Sequence, residues 1–470
     1  MALACRIQIS ASALSTQAYF STRFLIKVVR SLLELKKNYV KLDMEKSDFR
    51  QKLLTFLHSS PTPFHVVNVL AEALQEKNFV ELKEENKWEI KPGKYFLKRN
   101  DSSIIAFQLG EQPLEETGLK MVGAHTDSPG LKLKPTPIIR RKGLFQLGVE
   151  VYGGALLNPW FDRDLSIAGR ITKTKRNGAI ESTIIDAKEP LAFIPSLAIH
   201  LDREANKNKS VNAETDIVPI ISSEIQPNEL DNLLAAHLKK GETLLSTDLF
   251  FYDTNQASLV GARKEFLAAA RLDNQLSCFC AISALLEAEP SKSCLVVLND
   301  HEEVGSASYA GADGSFLLDF FDRISENSEA RLRTIARSLL VSTDNAHAVH
   351  PNYPEKHEKN HGPIINNGIA IKHNANQRYA TNSETAGYFK RLCLDNEIPL
   401  QEFVNRGDMS CGSTIGPITA SKIGVRTLDL GVPTFGMHSI RELAGIHDIV
   451  NLGRGLKVFF NDVGLDGESC

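Results

Sequence analysis

Cysteine is scarce and scattered: seven residues, at 5, 278, 280, 294, 393, 411 and 470, with no Cys-x-x-Cys pair among them. That pattern suits a reducing compartment better than a disulfide framework or a structural zinc site. Cys278 and Cys280 read as buried packing residues. No apolar run approaches the roughly 18 residues needed to span a bilayer, so no membrane partner is expected. A dominant charge is missing too. A formal net charge of −3 over 470 residues offers no electrostatic ground for nucleic acid as a partner. There is no internal repeat and no low-complexity tract. "CGSTIGP" at 411–417 lacks the Gly-Lys-Ser/Thr ending of a phosphate loop, which removes the one hint of nucleotide binding.

What is present is an ordinary globular composition, 42% apolar and 24% charged, on a chain too long for one compact core. Residues 1–43 stand apart, with seven Lys or Arg against only Glu34 and Asp43, and with hydroxyls gathered in "SASALSTQAYFST". Basic, hydroxyl-rich and acid-poor is the profile of an organelle transit peptide. The other reading is a disordered tail upstream of a start at Met44. The first places the protein in a mitochondrial or plastid matrix, the second in the cytoplasm.

From Met44 onward, helical spacing (Phe49, Leu53, Leu54, Leu57) leads to the Pro61/Pro63 turn, a second helix in "FHVVNVLAEALQEKN", a hairpin in "KYFLKRNDSSIIAFQLG" and a short strand in "LKMVGAH". Residues 131–255 change character: short β-like runs punctuated by Gly and Pro, with "DNLLAAHLKK" the one helical stretch. After 255 the alternation of helix and strand returns. The expected fold is therefore an α/β domain, 44–130 plus 256–470, interrupted by a β-rich domain at 131–255.

Several predicted strands end in metal-ligand residue types. "MVGAHTD" delivers His125 and Asp127, "VVLNDHEE" delivers Asp300 to Glu303, and "LLVSTDNAH" delivers Asp344. Asp273 opens a helix in "RLDN", and His438 follows a strand-like run in "PTFGMHS". Ligand sites of open α/β sheets lie at the carboxyl ends of strands, so these residues can converge. Glu-Glu occurs at 84–85, 115–116 and 302–303, but only the third follows a buried strand. Crowded carboxylates there resist burial unless a cation compensates them. Carboxylate and imidazole donors suit zinc, manganese or cobalt. Lone histidines such as His58, His65 and His237 read as surface or packing residues.

The segments "SSPTPFHVV", "GAHTDSPGLKLKP", "NPWFDRDLSIAGR", "AARLDNQLS", "EEVGSASYAGADGSFL", "NAHAVHPNY", "IKHNANQRYATN", "CGSTIGPI" and "MHSIREL" resemble, in order, the aspartyl aminopeptidases of the M18 metallopeptidase family. The resemblance runs from about Ser47 to Val463. It implies an exopeptidase with two divalent ions, usually zinc, that removes N-terminal Asp or Glu through an ion-activated water. It further implies a β-rich dimerisation domain and a tetrahedral dodecamer. Carried over by motif, His125, Asp273 and Asp344 would hold one ion, and Asp273, Glu303 and His438 the other. Glu302 would be the general base and Asp127 the partner that orients His125. Lys372 and Tyr379 would recognise the acidic side chain, His200 would reach a neighbouring subunit's site, and His347 would line the pocket. His301 departs from the family motif, where an acid or amide is expected, but it replaces no ligand. Two other readings compete: a related dinuclear exopeptidase with neutral-residue specificity, and a non-catalytic assembly or cargo protein.

Overall fold

The computed structural model describes residues 47–208, 210–223, 229–289 and 291–462; the leader read at 1–43 and the start read at Met44 lie outside the described residues. The fold is mixed α/β with three sheets. The largest has nine strands and carries the residues of interest. Its middle consists of Cys294–Asn299, Lys120–His125, Leu339–Thr343 and Arg426–Gly431, all mutually parallel. Ile369–His373 runs antiparallel beside the last of these. The predicted hairpin is present as Gly93–Arg99 and Ser103–Leu109.

Central strands buried on both faces read as continuous apolar runs, and here LVVL and LLV do so. One face packs on the helices Phe316–Ile324 and Ser328–Arg337, where Phe316, Phe320, Phe321 and Ile335 join a core with Ile105, Phe107, Met121 and Val297. Each such side chain contributes about 1.5–3 kcal/mol on burial. The helix Leu272–Leu286, predicted from "RLDNQLSCFCAISALLEAEP", packs against Lys120–His125 and Cys294–Asn299 and buries Cys278 and Cys280 completely.

The six-stranded sheet is drawn wholly from residues between 130 and 253, and it closes over its own core of Leu131, Leu147, Trp160, Ile167, Leu249 and Phe251. Within it the stretch read as helical forms Glu229–Ala235, stopping before His237. A five-stranded sheet includes Pro433–Phe435 and Glu442–Gly445, which flank His438. Among the described residues no helix is long and apolar enough to cross a membrane.

Register decides what meets at the sheet edge. Asn299 pairs with His125, and Ser342 pairs with Gly123. His125, the Asp300–Glu303 turn and Asp344 therefore emerge at one level, as side chains leaving adjacent parallel strands must.

Candidate metal centre

His125 ends its strand with only 1% of its surface exposed. Its Nδ1 lies 3.1 Å from the Asp127 carbonyl oxygen and 3.3 Å from Asp127 Oδ1. A hydrogen held there would let Nε2 meet a cation in the cluster as a lone-pair donor. Nε2 stands 3.4 Å from Asp273 Oδ1 and 3.9 Å from Asp344 Oδ1. The second oxygen of Asp273, Oδ2, lies 3.7 Å from His438 Nε2, and Glu303 Oε2 lies 3.4 Å from that nitrogen. Three sets of side chains each bring one potential ligand atom within 4.8 Å of the others: His125, Asp273 and Asp344; Asp273, Glu303 and His438; His125, Glu302 and Glu303.

Asp127 organises the adjacent acids from beneath. Its Oδ1 accepts the backbone N–H of Glu302 at 3.2 Å, and Oδ2 accepts that of Glu303 at 3.1 Å and the Tyr152 hydroxyl at 2.8 Å. The two glutamate side chains thus leave a short turn whose backbone donors are already satisfied. His301, which precedes the turn in a left-handed conformation (φ 63°), directs its Nδ1 to Ser308 Oγ at 2.8 Å.

Electrostatics in this pocket are severe. Burial, the largest effect, pushes Glu302 up to about 8; the His125 imidazolium opposes the rise, and the Asp344, Asp127 and Asp273 carboxylates add to it. Burial and then Asp273 raise Glu303 well above the usual carboxylate range, and burial and Asp344 raise Asp273. Asp344 moves down despite its burial, because the Lys372 ammonium and His125 stand beside it. Burial opposes a charged His125, but Asp127, Asp273 and Asp344 overcome it and hold the imidazolium well above its ordinary range. Asp273 Oδ1 and Glu303 Oε1 are buried and accept no hydrogen bond. Buried carboxylate oxygens without donors are costly, and a divalent cation is the partner that this all-oxygen-and-imidazole donor set fits.

The remaining residues read from sequence divide. Lys372 is 2% exposed, with Nζ 3.6 Å from Asp344 Oδ2 and 5.3 Å from the ring centroid of buried Tyr379. Arg378 is exposed. His347 is exposed, its ring 6.1 Å from that of Phe403. His200 lies in an exposed stretch with Phe193, Leu197, Ile199 and Leu201, and it takes no part in the cluster of its own chain. Three residues at the site were not read from sequence. Glu442 accepts the backbone N–H groups of Asp273 and His438, both at 3.0 Å. Ser128 Oγ donates to the Asp273 carbonyl at 2.6 Å, and Tyr152 braces Asp127. The one sequence signal for Glu442 is an acid four residues after His438, at the start of a strand.

The family model for aminopeptidase I zinc metalloproteases (M18) matches residues 56–460. The chain belongs to the M18 family. It is accordingly a metal-dependent aminopeptidase. A probable M18 family aminopeptidase 2 of Stutzerimonas stutzeri (strain A1501) is 54% identical over 428 residues, covering 89% of this chain and 100% of that protein. Among solved structures, Ape4 in its cryo-electron microscopy complex with Nbr1 superposes with a TM-score of 0.85 at 38% identity, covering 88% of this chain and 86% of that one. The S. cerevisiae mApe1 dodecamer gives a TM-score of 0.76 at 30% identity, covering 87% of this M18 chain and 95% of its own.

Proposed function

We propose that this M18 aminopeptidase holds two divalent ions and removes an acidic residue from the amino terminus of peptides. The observation that carries the two-ion reading is Asp273, which turns one oxygen to His125 and the other to His438, as a bridging carboxylate must. His125, Asp273 and Asp344 would hold one ion and Asp273, Glu303 and His438 the other. When bound, such ions supply Lewis acidity toward a water and toward the scissile carbonyl.

The chain's own residues complete the chemistry. Glu302, whose side chain leaves the turn beside Glu303, takes a proton from the attacking water and delivers it to the leaving amine nitrogen. Asp127 holds the 302–303 turn and the His125 tautomer. Lys372 supports acidic specificity: a buried ammonium 3.6 Å from Asp344 Oδ2 is beyond hydrogen-bond length and retains donors for a substrate carboxylate. Tyr379 lies under it, and His347 borders the same cleft.

The six-stranded sheet and its own core support a division into a discontinuous catalytic domain (44–130 plus 256–470) and an inserted domain (131–255). Phe193, Leu197, Ile199 and Leu201 expose 39 to 75% of their surface, which suits burial against another copy of the chain. The dodecameric state of the yeast relative suggests the closed assembly in which His200 would face a neighbour's cleft. A panel of Asp-X, Glu-X, Leu-X and acyl-blocked peptides, assayed after zinc reconstitution, tests the reading. Turnover of Leu-X equal to that of Asp-X would refute acidic specificity.

A further inference from the structure

The candidate ligands come from a strand end and loops of the nine- and five-stranded sheets and from one helix, yet the six-stranded sheet reaches them too. Its strand Leu144–Tyr152 ends at the cluster. There the Tyr152 hydroxyl donates to Asp127 Oδ2 at 2.8 Å. Gly153 follows with φ +66°, so close to Glu303 that an added Cβ would lie 3.0 Å from Glu303 Cβ and 3.3 Å from its carbonyl oxygen. Gly154 offers its carbonyl to His438 Nδ1 at 3.1 Å, and an added Cβ there would lie 3.3 Å from the same nitrogen. Leu156 then donates its backbone N–H to the His438 carbonyl at 3.0 Å.

We propose that Tyr152–Leu156 is a positioning strap for the Asp273, Glu303 and His438 ion. The Gly154 carbonyl holds the Nδ1 hydrogen of His438 and so presents Nε2 to Glu303 and Asp273. Gly153 lets the backbone lie against the Glu303 stem and restricts its rotamer. An added side chain at either position crowds its ligand residue, and at Gly153 it also meets an unfavourable left-handed backbone. Affinity at this ion site therefore depends on a segment outside the ligand set, and on the six-stranded sheet keeping its place. The inference rests on the two-ion reading above.

Zinc titration calorimetry on the metal-stripped full chain tests it, using Gly153→Ala, Gly154→Ala and the control Gly143→Ala. Gly143 turns the hairpin that leads into the same strand with φ +77°, and an added Cβ there meets nothing within 4 Å. It carries similar backbone strain without touching the cluster. The unaltered chain and Gly143→Ala are expected to bind two zinc ions. Gly153→Ala and Gly154→Ala are expected to weaken one ion about 10- to 100-fold and leave the other nearly unchanged. Their kcat should fall at limiting zinc and recover at high zinc with little change in KM. Gly154→Ala, free of the positive φ, keeps the test open if Gly153→Ala does not fold. Two strap variants that bind both ions as tightly as Gly143→Ala would overturn the strap and leave the two-ion reading standing. An equal loss of both ions, as in general loosening, would overturn the strap as well. An unaltered chain that binds fewer than two ions would remove the reading itself and the strap with it.

Discussion

Glu442 joins Asp273, in the first turn of the helix Leu272–Leu286, to the loop that carries His438. Its Oε2 accepts the Asp273 backbone N–H and its Oε1 accepts that of His438, each at 3.0 Å. Burial and the neighbouring Asp273 carboxylate raise it well above the usual carboxylate range. Its hydrogen bonds to these two candidate ligands are made to their backbones.

Glu442→Gln keeps one acceptor and turns an amide N–H₂ toward the other backbone donor. The variant should lose about 1–3 kcal/mol of stability, the cost of a buried donor left unsatisfied. Urea unfolding of the zinc-loaded proteins measures this, and an unchanged midpoint and slope would show that the clamp is dispensable.

Glu302→Gln separates proton transfer from ion holding. Turnover of an Asp-X peptide should fall about 10²- to 10⁴-fold, the range for loss of a general base. Zinc uptake by calorimetry should stay at the unaltered stoichiometry. A variant that retains a near-normal rate would exclude Glu302 from the proton path.

Lys372→Met replaces a buried ammonium by an apolar chain of similar length. Asp-X hydrolysis should fall by about 10²-fold or more, because a charged substrate group would then enter the pocket unpaired. Leu-X turnover should hold or rise. Parallel kcat/KM values for the two substrates check this, and an unaltered ratio would place the acidic pocket elsewhere.

His65 provides a stability test at a residue outside the candidate ligand set. It is buried, its Nδ1 lies 2.8 Å from the Thr62 hydroxyl, and burial lowers its pKa from 6.5 to about 4. Between those values the unfolded chain binds the proton and the folded chain does not, so stability rises with pH across that window. The contribution reaches roughly 3 kcal/mol at neutral pH relative to pH 4. His65→Gln should flatten the pH dependence between 4 and 6.5. Denaturation series at several pH values would show parallel curves if His65 were not responsible.

Much was legible in the sequence because its information is local. LVVL, LLV and the apolar helix at 272–286 report burial through residue type alone, and the ligand-type residues stand directly at the ends of such runs. The hairpin at 93–109 and the break at the Pro61/Pro63 turn are likewise written in short stretches. In "DNLLAAHLKK" the helix ends at Ala235, short of where its helical spacing predicts.

By itself, then, the sequence determined which segments are strands, which helices they alternate with and which side chains are able to bind a cation, since periodicity and side-chain chemistry are properties of neighbouring residues. Only the tertiary structure decided the register that sets His125 level with Asn299, the two-sided exposure of Asp273, and the placement of Tyr152, Gly153, Gly154 and Glu442. Two of those contacts, Glu442 to Asp273 and Gly154 to His438, use a backbone N–H or carbonyl and join residues 169 and 284 positions apart. Every residue carries such groups, so they leave no mark in composition or spacing until the sheets are assembled.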